Sequence, residues 1–478
     1  MNLQENKENI VYHFPSLSLL KNESCNSIDE QEVRENAIRI QQTLLSFGIR
    51  VQISDIRVGV RFTRYEIVPE MGVRIREIVK RENEIRIATA ATDIHIEAPI
   101  PGKSAIGIDI ANKKVPIVTI REIIGSREFK ESPSGMAFVL GRDAVGKVIV
   151  GDIVKMPHLL VAGATGSGKT VCLSSMVMSV LYKAHPDSVK MIMIDTKGVS
   201  LSIFNGIPHL LIPVVTDASK SLAALKGVLA EIENRYRKFA DIGVRDLKGY
   251  NRYDKVSYKI PQILIMIDDL SDLMALYRTE AEQLIVRIAQ ISRGAGIHLI
   301  IATQRPSTDV LTGLIKANIP SRVAFSVFSA IDSRVILDEK GAEELLGNGD
   351  MLFKPQGCIK PIHIQGVYIS DEEIEGVVNF FKNQFPHREI IDNFADKKKE
   401  CDNDCDPYLV EAGRFFIERD KASIGMIQRV FKIGFNRAAR IMDQLCEIGV
   451  VGEEEGTKPR KILMRVEEFE KLVEEMIK

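Results

Sequence analysis

The chain has no excess charge of either sign, few cysteines, no long apolar run and no low-complexity tract. Its 64 Lys and Arg against 65 Asp and Glu leave a formal net charge of -1. Bulk electrostatics therefore gives no reason to expect a polyanion, and any nucleic-acid binding must come from local charge. No apolar stretch approaches the roughly 18 to 20 residues needed to span a bilayer, and the opening MNLQENKENIVYHF lacks a signal peptide's basic segment and apolar core. These absences predict a cytoplasmic protein with no intrinsic membrane span. The six cysteines, Cys25, Cys172, Cys358, Cys401, Cys405 and Cys446, are scattered, as suits reduced thiols rather than a disulfide framework. Cys401 and Cys405 sit in a polar acidic stretch with no nearby His, which reads as linker rather than metal site. With 45% hydrophobic and 27% charged residues, collagen-like, disordered and disulfide-scaffold classes are excluded.

A length of 478 residues suits several domains, each with its own core. Residues 1–20 read as a polar tail. Residues 21–130 mix an amphipathic helix (EVRENAIRIQQTLLSFG) with short strands (RFTRYEIV, EIRIATA, IHIEAPI), an α+β domain. In residues 131–385, continuous apolar runs (HLLVAG, VKMIMID, QILIMID, HLIIATQ) alternate with helices. Runs of that kind are buried on both faces, so they predict a parallel sheet covered by helices. Residues 386–407 carry dense mixed charge and read as a linker, leaving 408–478 as a compact C-terminal domain.

The chemistry begins at GATGSGKT, Gly163 to Thr170, between an apolar strand and the helical pattern TVCLSSMVMSVL. Strand, G-x-x-x-x-G-K-T, helix is a P-loop. Gly163, Ala164, Thr165, Gly166, Ser167 and Gly168 offer backbone amides to phosphates, Lys169 reaches the β and γ phosphates, and Thr170 ligates Mg2+. The strand QILIMIDD presents Asp268 and Asp269 at its exit, where two carboxylates are costly without a cation. Asp268 is expected to hold the water shell of Mg2+ and Asp269 to polarise the attacking water, or simply to cap the next helix. Gln304, at the tip of HLIIATQ, is placed to sense the γ-phosphate. Arg293, Arg305, Arg322 and Arg334 lie near element ends, and Arg322 and Arg334 are the candidates for an arginine finger acting across subunits.

In 408–478, Ser423 opens one short helix, Gly434 a turn, NRAARIMDQL a second helix, and VVGEEEGTKPRKILM two strands around a wing. This is a winged helix-turn-helix. Arg429, Lys432, Arg437 and Arg440 come with no acid among them, and Asn436, Arg437 and Arg440 lie on the exposed side of a recognition helix. Arg suits guanine there and Asn suits adenine. The acidic EEE of the wing favours the other reading, a winged helix used for protein contacts.

These stretches resemble the FtsK/SpoIIIE DNA translocases, through PHLLVAGATGSGKTV, IHIEAPIPGKSAIGIDIANK, TQRPSTDVLTGLIKANIPSR, LDEKGAEELLGNGDML and ASIGMIQRVFKIGFNRAARIMDQL. The resemblance covers essentially the whole chain from about residue 11. It implies an α/β fold with a RecA-like P-loop NTPase motor, an N-terminal α+β domain and a C-terminal winged helix reading DNA. It further implies ATP with Mg2+, a hexameric homo-oligomeric ring around double-stranded DNA, and a role in chromosome segregation, cell division or DNA transfer. Two departures stand out: the family's membrane helices are missing, and its usual Asp-Glu pair is Asp268-Asp269 here. A nucleotide-switched DNA-binding protein with weak hydrolysis and a secretion or conjugation coupling ATPase stay open as alternatives.

Overall fold

A computed structural model describes residues 12–22, 30–60, 62–100, 102–112, 117–254, 256, 258–385, 408–419, 421–452, 460–466, 468–470 and 473. The expected linker, the tip of the wing, Cys401 and Cys405 lie outside them. The chain divides into two compact units, residues 1–395 and 396–478. Among the described residues no helix is long and apolar enough to cross a membrane.

In the first unit, a four-stranded antiparallel sheet comprises β1 (Val51–Val58), β2 (Phe62–Pro69), β3 (Ile94–Glu97) and β4 (Ile106–Ala111), in the order β1-β2-β4-β3. The helix Glu30–Ser46 covers it with Val33, Ala37, Ile40 and Leu44, at helical spacing, against Tyr65, Ile67 and Ile108. The expected strand EIRIATA is instead part of a helix, Glu82–Thr89. Its alternating letters mislead because the spacing that counts is four residues: Ile85 and Thr89 are buried, whereas Ile87 is 80% exposed. A Glu82–Arg86 ion pair at i,i+4 supports the same choice.

The second sheet of this unit has nine strands: β5 (Ala137–Asp143), β6 (Val148–Asp152), β7 (His158–Ala162), β8 (Val189–Asp195), β9 (Gln262–Asp268), β10 (Ile297–Thr303), β11 (Ser321–Phe325), β12 (Asp350–Lys354) and β13 (Ile362–Gly366). Their order is β6-β5-β13-β12-β11-β7-β10-β9-β8. The expected parallel sheet is present from β11 to β8, and an antiparallel half, β12, β13, β5 and β6, extends it. Of those added strands β6, β12 and β13 are five residues each and only partly buried, so they lack the continuous apolar signature. The chain leaves β7 for the far edge, returns to β10 at its side, then crosses to β11 on its other side. In such sheets the crevice beyond the carboxyl end of the switch strand is the ligand site.

Two expected boundaries shift. Residues 12–20 are not a frayed polar tail. Leu20 is buried in the core of the nine-stranded sheet, Leu17, Leu19 and Tyr12 pack on it, and the Tyr12 ring stacks on Phe381 at 5.9 Å between centroids. The Lys21 amide donates to Glu373 (2.8 Å) in the capping box of the helix Asp371–Gln384. Likewise Val118, Ile120, Ile123 and Phe129, placed by sequence in the first domain, belong to the core of the nine-stranded sheet.

Below the switch strand, the buried His158 of β7 and His298 of β10 have pKa values pushed down to about 4, chiefly by burial. The fold therefore favours their neutral form, and the penalty for protonating them appears as pH falls from about 6.5 toward 4. Each histidine is expected to lower stability by about 2 kcal/mol between pH 7 and pH 5. Denaturant melts should show a correspondingly flatter acid dependence for the His158→Asn/His298→Asn variant; equal slopes would refute the assignment.

The second unit has the helices Leu409–Arg419, Ile424–Phe431 and Phe435–Glu447, with bridges Ala422–Arg460 and Val451–Ile462 closing the base of the wing. Ala438, Ile441, Met442 and Leu445 bury one face of the third helix against Leu409, Phe416 and Ile427, in agreement with the sequence reading.

Candidate functional site

The loop Gly163–Gly168 follows β7 directly and opens the helix Lys169–Leu181. Gly168 has φ +114, and a Cβ there would stand 2.8 Å from the amide nitrogen of Gly349, so both conformation and space demand glycine. The Ala164 amide donates to Ser326 O (2.8 Å), and the buried Ser167 hydroxyl donates to Ala164 O (2.7 Å), which shapes the loop from within. Lys169 is almost fully buried, and its ammonium donates to Gly163 O (2.8 Å) and Ala164 O (2.7 Å), so it lies across the loop mouth. Burial pushes its pKa down to about 8, against the pull of Asp268 and Asp269. The Thr170 side chain is exposed at the start of the helix.

β9 ends at Asp268, level with the exits of β8 and β10. Burial, then the neighbouring Asp195 and Asp269, raise the Asp268 pKa, against a hydrogen bond from Ser200. A buried carboxyl held this way is suited to a cation. Asp269 behaves differently. Burial works to raise its pKa, but Lys197 and Ser271 outweigh it and hold the carboxylate below its usual range. Lys197 Nζ stands 2.5 Å from Asp269 Oδ2, and Asp269 itself adopts φ +61 as N-cap of the helix Leu270–Ala295. Both sequence readings of Asp269 thus meet at one residue: it caps a helix and presents an ionised carboxylate. Lys197 was not singled out by sequence. The signal was available in IDTKG, where the exit of β8 carries a cation beside the β9 carboxylates.

Gln304 is where the sequence placed it, beside the P-loop strand, and its Oε1 accepts from the Thr165 hydroxyl at 3.0 Å. Its amide donates to Asp269 Oδ1 at 3.4 Å. One residue therefore touches both the phosphate loop and the carboxylate.

The arginines separate sharply. Arg322 is 8% exposed, donates to Ile336 O (2.9 Å), and pairs with Asp338. It is a brace inside the first unit, which corrects its candidacy as an arginine finger. Arg334 is exposed on the helix Ala330–Leu337, as are Arg293 at the end of the helix Leu270–Ala295 and Arg305 past the carboxyl end of β10.

In the second unit Arg429, Lys432, Arg437 and Arg440 are all exposed. Arg437 lies over the Tyr408 ring at 5.1 Å, which orients its guanidinium. Asn436 lies in the first turn of the same helix, but its side chain falls outside the described part. The helix Phe435–Glu447 thus buries its apolar stripe and shows its cations.

Three family models tile the chain: the FtsK alpha domain over residues 14–112, the FtsK/SpoIIIE family over 119–308 and the FtsK gamma domain over 403–465. The protein called DNA translocase FtsK in Clostridium acetobutylicum is 48% identical over 469 residues, covering 96% of this chain and 61% of that one. The chain belongs to the FtsK/SpoIIIE family. A second FtsK, from Caldanaerobacter subterraneus subsp. tengcongensis, is 48% identical over 472 residues, covering 98% of this chain and 66% of its own. The chain thus spans about three fifths to two thirds of these curated FtsK relatives. Among solved structures, the conjugation coupling protein TcpA of pCW3, in monomer form with ATPgS, matches 74% of this chain and 99% of its own with a TM-score of 0.52 at 22% identity, which speaks to the fold alone. The fold is that of the family: an α/β P-loop motor with an α+β domain before it and a winged-helix gamma domain after it.

Proposed function

We propose that this FtsK/SpoIIIE member is an ATP-driven motor that moves double-stranded DNA through a hexameric ring, with the winged helix setting direction by reading sequence. The observation that carries the reading is the junction of Lys169, Asp268, Asp269 and Gln304 around one P-loop, in a chain that also bears a basic recognition helix. The curated relatives named DNA translocase support it. In this reading the motor works in the cytoplasm, in chromosome segregation at division or in DNA transfer.

The amides of residues 163–168 and Lys169 hold the phosphates of ATP. Thr170 directly and Asp268 through water would hold Mg2+, which neutralises charge on the β and γ phosphates. Asp269, kept ionised by Lys197, positions the attacking water, and Gln304 relays the state of the γ-phosphate to Thr165 and the loop. Arg334 supplies the arginine finger to a neighbouring subunit. Strand displacement tests the whole: the chain with ATP should strip a triplex-forming strand from duplex, and Lys169→Ala should not.

Because Asp269 also caps a helix, its two roles need separating. Asn is as good an N-cap as Asp. Asp269→Asn is therefore expected to melt close to wild type while ATP turnover falls on the order of a hundredfold or more. Unchanged turnover would leave Asp269 only the cap.

A further inference from the structure

A carboxylate that positions water must be able to reach it, and Asp269 as it stands is 2% exposed, with both oxygens engaged inside the chain. We propose that Lys197 is a gate on ATP hydrolysis, its ammonium covering Asp269 until it withdraws and lets the carboxylate take up the attacking water, a regulation that rests on the reading of Asp269 as the water-positioning group.

The contacts of the carboxylate divide into fixed and removable ones. Oδ1 accepts from the Ser271 hydroxyl, and from the amides of Ser271 and Gln304 at 3.4 Å each. Those donors sit on the first turn of the helix Leu270–Ala295 and just past the exit of β10, so they do not leave without local unfolding. The cap also holds Asp269 itself at φ +61. Oδ2 takes Lys197 Nζ at 2.5 Å, a partner that arrives on a flexible four-carbon stem. A water acting through Oδ2 needs an approach of about 2.6–3.2 Å, which the ammonium occupies. If the pair opens, it is the lysine that leaves.

The lysine can move because its loop need not. Asp195, fully buried at the end of β8, accepts from Gly198 N (3.0 Å), Ser200 N (2.8 Å) and Leu201 N (2.8 Å). On the other side of residue 197, the Thr196 hydroxyl donates to Asp272 Oδ2 (2.9 Å). The turn after β8 is thereby tied down around Lys197. Its side chain is 44% exposed against 3% for that of Asp269, so it stands on the solvent side of the carboxylate with room to swing outward.

Electrostatics close the gate without locking it. Asp269 first, then Asp272 and Asp268, hold the Lys197 pKa above its ordinary range, so the ammonium stays charged at neutral pH. An ion pair with one well-exposed member shifts a population by only about five- to tenfold, a range in which a gate can both hold and release. Lys197 also acts against the charge of Lys169, so its effect on the chemical step must be read apart from any effect on phosphate affinity.

Single-turnover hydrolysis in Mg2+ without duplex, with the full chain in saturating excess over ATP, makes that separation. A pH of about 8 favours ionised Asp269 whether or not the lysine is present. Lys197→Met keeps the stem and removes the charge; it is expected to speed the step about fivefold or more while melting close to wild type. Lys197→Arg, which rebuilds the pair, is expected to lose most of that gain. Lys197→Met/Asp269→Asn is expected to be no faster than Asp269→Asn alone. A rate at or below wild type in Lys197→Met would overturn the gate, and should that variant melt early, Lys197→Gln decides by the same criterion. A gain that persists without the Asp269 carboxylate would also overturn it. Equal rates for wild type and Asp269→Asn would instead remove the water-positioning reading on which the gate depends.

Discussion

Lys169→Ala is expected to lower ATP turnover by a factor on the order of a hundred to a thousand, the usual consequence of removing one preorganised charge from a transition-state clamp. The side chain sits across the loop mouth, anchored to Gly163 O and Ala164 O. Burial already disfavours its charge, holding its pKa at about 8. An ammonium so placed is well compensated only by an anion, so alanine removes phosphate affinity while relieving the fold of a buried charge. The melting temperature should therefore hold or rise while turnover collapses. Steady-state hydrolysis beside thermal melts checks both signs at once; a parallel fall in stability would show that Lys169 is needed for the fold rather than for phosphate.

The second large effect belongs to the winged helix. Arg437→Ala with Arg440→Ala is expected to abolish sequence preference, because each well-made arginine to guanine pair contributes on the order of 1 to 3 kcal/mol of discrimination. Both side chains are exposed, and Arg437 is oriented by Tyr408. Selection from a randomised duplex library should enrich particular sequences with wild type and none with the double variant, while hydrolysis stimulated by unselected duplex stays within about twofold. If the variant enriches the same sequences, the base-reading role fails and the winged helix serves protein contacts instead.

Legibility followed how local each signal is. The P-loop, Asp268 at a strand exit and Gln304 beside the loop were readable because they rest on short spacings next to continuous apolar strands. The apolar stripe of Ala438, Ile441, Met442 and Leu445 was readable for the same reason. What escaped depended on distant partners. Lys197 matters through Asp269, 72 residues away in sequence. Arg322 looked available until its partners Ile336 and Asp338 came round to meet it. Tyr12 and Leu20 looked like tail because their apolar surface has no local partner and finds one only on the helix Asp371–Gln384 and the motor core. The strands β12 and β13 escaped because partly buried residues carry no continuous pattern.

The most direct test of the central claim is ATP hydrolysis by the full chain with and without duplex DNA at fixed salt, since phosphate contacts make any such response salt-dependent. A motor driven along duplex should hydrolyse ATP several-fold faster when duplex is present, with the stimulation lost in Lys169→Ala. Turnover that is measurable but indifferent to duplex would contradict it.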